Sequence, residues 1–169
     1  MPVSTKGWNN GIRILCFIGI SLSIYALYVE VSKKHNPNYV ALCDVSEHMS
    51  CSNVLNSRLV FHISALALEI FSKDSMFNQP NSLFGIIFYS TFFLLSYLNF
   101  KIVSKLLIIL AVVSNISSVY FACILIFILK DFCLVCVSSY FVNVGLLFCS
   151  IYKTKILDLE SKKSKIKSK

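Results

Sequence analysis

Charge is what this 169-residue sequence has least of: Asp, Glu, Lys and Arg together make up 14%, against about 25% in ordinary globular chains. Hydrophobic residues reach 56%, and a soluble domain this short leaves too much of its surface in water to hide them. Lipid is the fitting solvent. Strand-like alternation is missing too, which excludes a membrane barrel. The net charge of +8 is not carried by a basic patch interleaved with exposed aromatics, and no nucleic-acid motif is present, so nucleic acid is excluded as a partner.

Where charge is absent, the runs are long. Ile14 to Val29, Ser82 to Phe100, Leu106 to Leu129 and Phe132 to Tyr152 contain no Asp, Glu, Lys or Arg. A charge at mid-bilayer costs about 2.5–3.5 kcal/mol on the insertion scale, and a bilayer core needs about 20 apolar residues, with ~17 at the short end. The first run reaches that length by including Ile12 and letting Arg13 snorkel. The expected fold is therefore an all-α, four-transmembrane-helix bundle in one membrane domain, 1–169. Its spans are approximately 12–29, 82–100, 106–129 and 132–152. A 30–81 loop joins the first two, and a basic tail covers 153–169. Within the loop, the apolar run Leu59 to Phe71 reads as a short capping helix.

Orientation follows from the cations. With both termini cytoplasmic, that side holds Lys6, Arg13, Lys101, Lys105 and the seven tail lysines, whereas Lys33, Lys34, Arg58, Lys73 and Lys130 lie opposite. Eleven of sixteen inside satisfies the positive-inside rule.

Seven cysteines then sort by side. Cys16, Cys123 and Cys149 fall inside spans, where a thiol is a small hydrophobe. Cys43 and Cys51 fall in the non-cytoplasmic loop, and Cys133 and Cys136 form a Cys-x-x-Cys pair at the start of the fourth span, on the same side. A helix N-terminus stabilises thiolate, and thiolate is the attacking species in disulfide exchange. The spacing favours redox chemistry over a structural bridge between loop and span. A zinc site fits least, because zinc sites pair their cysteines more closely than the eight positions between Cys43 and Cys51. No metal is expected. Cys136, Tyr140 and Asn143 share a helix face by spacing, as do Asn81, Phe84 and Phe88. Facing each other, the two stripes would make an aromatic slot for a flat lipophilic carbonyl compound.

The segments Ala41-Leu42-Cys43-Asp44-Val45, Ser50-Cys51-Ser52, Asp74-Ser75, Asn78-Gln79, Asn81-Ser82, Phe84-Gly85, Phe88-Tyr89 and Asp131-Phe132-Cys133-Leu134-Val135-Cys136 resemble the vitamin K epoxide reductase family. The stretches Ser21 to Leu27 and Ser118-Val119-Tyr120 fit as well. The resemblance implies a multi-pass protein of the endoplasmic reticulum membrane with four helices around a quinone pocket and a lumenal active site. It implies reduction of vitamin K 2,3-epoxide to quinone and hydroquinone, supporting γ-carboxylation, by an enzyme of the warfarin-sensitive type that coumarin-type inhibitors bind. Vitamin K is then substrate, and no cofactor is tightly bound.

By the same resemblance Cys136 attacks the substrate and Cys133 resolves the adduct. Cys43 and Cys51 take electrons from a thioredoxin-like lumenal oxidoreductase, through the pairings Cys43–Cys51, Cys51–Cys133 and Cys133–Cys136. Asn81 and Tyr140 bond the quinone oxygens, and Phe84 and Phe88 line its ring. Leu55 stands where the family commonly has Phe. After Ser57-Arg58 the family's Trp-Gly-x-Gly-like pocket cap is replaced by Leu59-Val60-Phe61-His62-Ile63-Ser64, so preference between epoxide and quinone stays open. The C-terminal Lys165-Ile166-Lys167-Ser168-Lys169 resembles a dilysine retrieval signal. Two other readings stand beside the reductase: a generator of disulfides in lumenal partners with quinone as electron sink, and a non-enzymatic four-span scaffold.

Overall fold

The computed structural model describes residues 5–36, 38–44, 51–55, 81–129 and 131–167, with the side chains of residues 52, 53, 81, 164, 165 and 167 outside that description. The expected capping helix at Leu59 to Phe71, most of the 30–81 loop and the end of the tail lie outside the described residues. Every regular element described is helical: α1 (Thr5–His35), α2 (Cys51–Leu55), α3 (Asn81–Ser96), α4 (Lys101–Ile124) running into a π-helical turn (Leu125–Leu129), and α5 (Leu134–Lys167).

Three helical stretches, Thr5–His35, Lys101–Leu129 and Leu134–Lys163, are long and apolar enough to cross a membrane, and Ser82–Ser96 is a shorter apolar helix. The helices overrun the charge-free runs in the sequence. A charged residue ends a hydropathy run but not a helix, because Lys and Arg are good helix formers. So α1 starts before Arg13 and continues past Glu30, and α5 carries the basic tail on as helix to Lys167. At 1.5 Å per residue α5 is about 51 Å long, well beyond a bilayer core of about 30 Å.

The second expected span, 82–100, is helical only to Ser96. Its end is a polar knot. The Ser96 hydroxyl donates to the Phe93 carbonyl at 2.6 Å, and the N–H groups of Tyr97 and Leu98 reach back three residues to Leu94 and Leu95. The ammonium of Lys153, fully buried, donates to the carbonyls of Ser96 at 2.9 Å and Leu98 at 3.2 Å. Arg13 lies 3.9 Å over the Tyr97 ring, and Asn9 donates to Asn99 at 3.0 Å.

In the bundle, α1 packs between α3 and α5, and α4 closes against α5. Small residues set the approach of α1 to α3. A Cβ on Gly19 would sit 2.6 Å from the Tyr89 ring, and one on Gly85 would sit 2.6 Å from the Ser23 hydroxyl. Without a hydrophobic drive between helices in lipid, such close backbone approach is a main source of association. Two apolar clusters result. One surrounds Ile12, Cys16, Tyr89, Phe92, Leu107 and Leu146; the other gathers Ala26, Val29, Val54 and Leu55 about Cys43, Cys51 and Cys133.

Candidate active site

The four cysteines singled out by side lie together at one end of the bundle. Cys43 and Cys51 are joined by a disulfide with 5.9 Å between their Cα atoms. Cys133 and Cys136 are free thiols whose sulfurs stand 2.7 Å apart. Of the three expected pairings, the structure therefore holds the first; Cys133 is bonded neither to Cys51 nor to Cys136. Cys51 and Cys133 are both fully buried in the same apolar cluster, with Cys136 packed against it. The Tyr25 hydroxyl lies 3.8 Å from the Cys43 sulfur.

Cys133 occupies the N-cap of α5. Its carbonyl accepts the N–H of Val137 at 3.0 Å, and its sulfur accepts the N–H of Cys136 at 3.3 Å, as an N-cap oxygen would. Ahead of the helix, hydrogen bonds from the Cys136 thiol, then from backbone N–H groups, hold the Cys133 thiol below its ordinary range despite its burial. The sequence places a stabilised thiolate at this helix start, and the structure gives that position to Cys133.

Cys136, one turn further in, faces a cavity of about 590 Å³. That size lies within the range of small-molecule sites. Leu55, Phe84, Phe88, Tyr140 and Asn143 line it with Cys136. The two stripes read from spacing thus meet across one space, with Leu55 of α2 at its edge. Asn81 opens α3, but its side chain lies outside the described residues.

The cavity also has a polar wall. Ser114, Ser117 and Ser118 of α4, Ser139 of α5 and Ser82 of α3 line it. Along that wall Tyr89 donates to Asn143 Oδ1 at 2.9 Å, Asn143 Nδ2 donates to the Ser118 hydroxyl at 2.8 Å, and Asn115 donates to the Asn143 carbonyl at 3.0 Å. The i, i+4 spacing of Ser114 and Ser118 marks one face of α4, a signal the sequence offered. Glu30 offered none. It is 1% exposed and accepts from the Ser82 hydroxyl, which lines the cavity.

One cluster of metal-ligand type occurs among the described residues: Cys43, Asp44 and Cys51 place their ligand atoms within 4.8 Å of one another. The disulfide between Cys43 and Cys51 removes both thiolates from that set. Of the three cysteines read as packing, Cys16 is buried, Cys149 half-buried, and Cys123 exposed on the outer face of α4.

A family model described as the vitamin K epoxide reductase family matches residues 11–151. The chain is 44% identical over 139 residues to the vitamin K epoxide reductase complex subunit 1 of Mus musculus, covering 82% of this chain and 86% of that protein. It is 43% identical, with the same coverage, to the protein of that name from Rattus norvegicus.

Proposed function

The chain belongs to the vitamin K epoxide reductase family, and from that premise we propose that it is a quinone-reducing thiol–disulfide oxidoreductase acting on vitamin K. The observation that carries this is the position of Cys136, a free thiol on the wall of a largely apolar 590 Å³ cavity with a second thiol 2.7 Å behind it. A scaffold stapled by two disulfides has no use for a free thiol on a cavity wall with a second thiol behind it.

In this reading the Cys136 thiolate adds to the quinone ring, forming a C–S bond and moving an electron pair onto a ring oxygen. The Cys133 thiolate then attacks the Cys136 sulfur, the S–S bond forms, and the C–S pair returns to the ring. Two thiols are oxidised, the quinone is reduced, and the two thiol protons end on its oxygens. With the epoxide, the same two electrons release the bridging oxygen as water. The N-cap hydrogen bonds suit Cys133 to the resolving attack, because they favour its thiolate. Tyr140 and Asn81 bond the quinone oxygens, and Phe84, Phe88 and Leu55 hold the ring.

Recharging follows through the apolar cluster that holds Cys51 beside Cys133. Cys51 attacks Cys133 of the oxidised pair, Cys43 attacks Cys51, and the active pair is released as dithiol. The pairing of a Cys43–Cys51 disulfide with free Cys133 and Cys136 matches what such an exchange would leave. A thioredoxin-like lumenal protein then reduces Cys43–Cys51. We assign the chain to the endoplasmic reticulum membrane as a single domain, with α3 as a fourth, short span, both termini cytoplasmic and the cysteines lumenal. Coumarin-type inhibitors compete for the cavity.

The test is to supply membranes containing the chain with vitamin K epoxide or quinone and dithiothreitol. Turnover is expected, and lost in Cys136→Ala; turnover that survives that substitution contradicts the assignment. Quinone reduction without epoxide reduction restricts the activity to the quinone.

A further inference from the structure

Glu30 is a carboxylate 1% exposed where the uncharged run of α1 ends, and the cysteine chemistry leaves it without a task. It follows Leu22 and Ala26 at four-residue intervals on the face of α1 that lines the cavity. One oxygen accepts the hydroxyl of Ser82, itself on the cavity wall. The other, Oε1, is buried without a hydrogen-bond partner among the described residues. An unpaired buried carboxylate oxygen is costly. A merely structural role would have both oxygens bonded.

The charged and titratable groups acting on it are Lys34, one turn on along α1, and Cys136, from α5; Ser82 meets it from α3. The carboxyl is one hydrogen bond from a hydroxyl that shares the cavity wall with the attacking thiol.

We propose that Glu30 relays a proton to the quinone through Ser82. The inference rests on the quinone-reducing reading. When the Cys136 thiol ionises, its proton passes to the Glu30 carboxylate. As the thiolate adds and a ring oxygen gains an electron pair, Ser82 gives its hydroxyl proton to that oxygen and takes the proton of Glu30. The Cys133 attack forms the disulfide and breaks the C–S bond, and the Cys133 proton reaches the second oxygen. Two S–H protons and two electrons leave the thiols and arrive on the quinone, and no other reductant is needed. Glu30 acts through Ser82 and does not itself touch the ring.

The experiment uses the full chain, wild type, Glu30→Gln and Glu30→Asp, in lipid nanodiscs. The protein is reduced, freed of reductant and mixed anaerobically with vitamin K quinone, and quinone loss is followed against pH. Gln keeps the shape and the bond to Ser82 but cannot carry the proton. Glu30→Gln is expected to slow the single turnover at least about a hundredfold, the low end for general acid–base catalysis, with quinone affinity unchanged. The wild-type rate rises with pH as the carboxyl ionises and can take the thiol proton, and falls once the Cys136 thiol has lost that proton to solvent; Glu30→Gln loses the carboxyl's rising limb and gains rate only where the thiol itself ionises. Glu30→Asp recovers part of the rate and the limb. A Glu30→Gln profile equal to wild type overturns the relay and leaves the function standing, as does equal slowing of Gln and Asp with lowered thermal stability. A wild-type chain that reduces no quinone overturns both.

Discussion

The phenol of Tyr89 donates to Oδ1 of Asn143 at 2.9 Å, joining α3 to α5 on the cavity wall. Asn143 in turn donates to Ser118, so one amide binds three helices, and both Tyr89 and Asn143 are buried. Fully satisfied buried networks of this kind specify a single arrangement. Tyr89→Phe removes the donor and leaves a buried amide oxygen unpaired, at a cost of about 1–3 kcal/mol. Denaturation in mixed micelles is expected to show that loss, together with a raised KM for quinone.

Gly19 lies against the same tyrosine, where a Cβ would meet three ring atoms at 2.6–2.7 Å. Gly19→Ala is expected to destabilise by about 1–3 kcal/mol through overpacking. Gly7 has nothing within 4 Å of its would-be Cβ, so Gly7→Ala serves as the control and is expected to be neutral or slightly stabilising, as helix propensity dictates. Thermal unfolding of the two variants side by side checks the pair.

Lys153 closes the end of α3. Lys153→Met keeps the apolar stem but strips the carbonyls of Ser96 and Leu98 of their charged donor. A loss of about 2 kcal/mol is expected for hydrogen bonds to a charged group, and amide exchange at residues 97–100 should accelerate more than elsewhere. Unchanged exchange in that segment would show that the cap is not what ends the helix.

Hydrogen bonds from Cys136 hold the Cys133 thiol below its ordinary range. In a chain keeping only these two cysteines, ultraviolet thiolate absorbance from Cys133 is expected at lower pH than in the same chain with Cys136→Ala, which removes the thiol donor and leaves only backbone N–H groups. A midpoint that does not rise on that substitution assigns the first thiolate elsewhere.

What could be read from the sequence was whatever depends on local spacing. Cys136, Tyr140 and Asn143 recur with the helical period, as do Phe84 and Phe88, so two faces of one cavity were legible before any coordinates. The redox state of the four cysteines was not, since spacing is the same oxidised or reduced. Charges misled in another way. Lys153 counted as a tail cation and Glu30 as the charge that ends a span, yet both are buried by partners 57 and 52 residues away along the chain. Burial of a charge depends on such distant partners, and hydropathy along the chain carries no record of them. The end of α3 was missed for the same reason, because the group that caps it belongs to α5.

The most direct measurement follows from Cys136 facing the cavity while Cys133 stands behind it. On the proposed assignment Cys133→Ser removes the resolving attack, so the adduct formed by the first attack would have no way to collapse. After the reduced variant is mixed with vitamin K quinone and quenched, peptide mass spectrometry should find the quinone mass on Cys136 and on no other cysteine. An adduct on Cys43 or Cys51, or none at all while quinone is still consumed, would contradict Cys136 as the attacking sulfur.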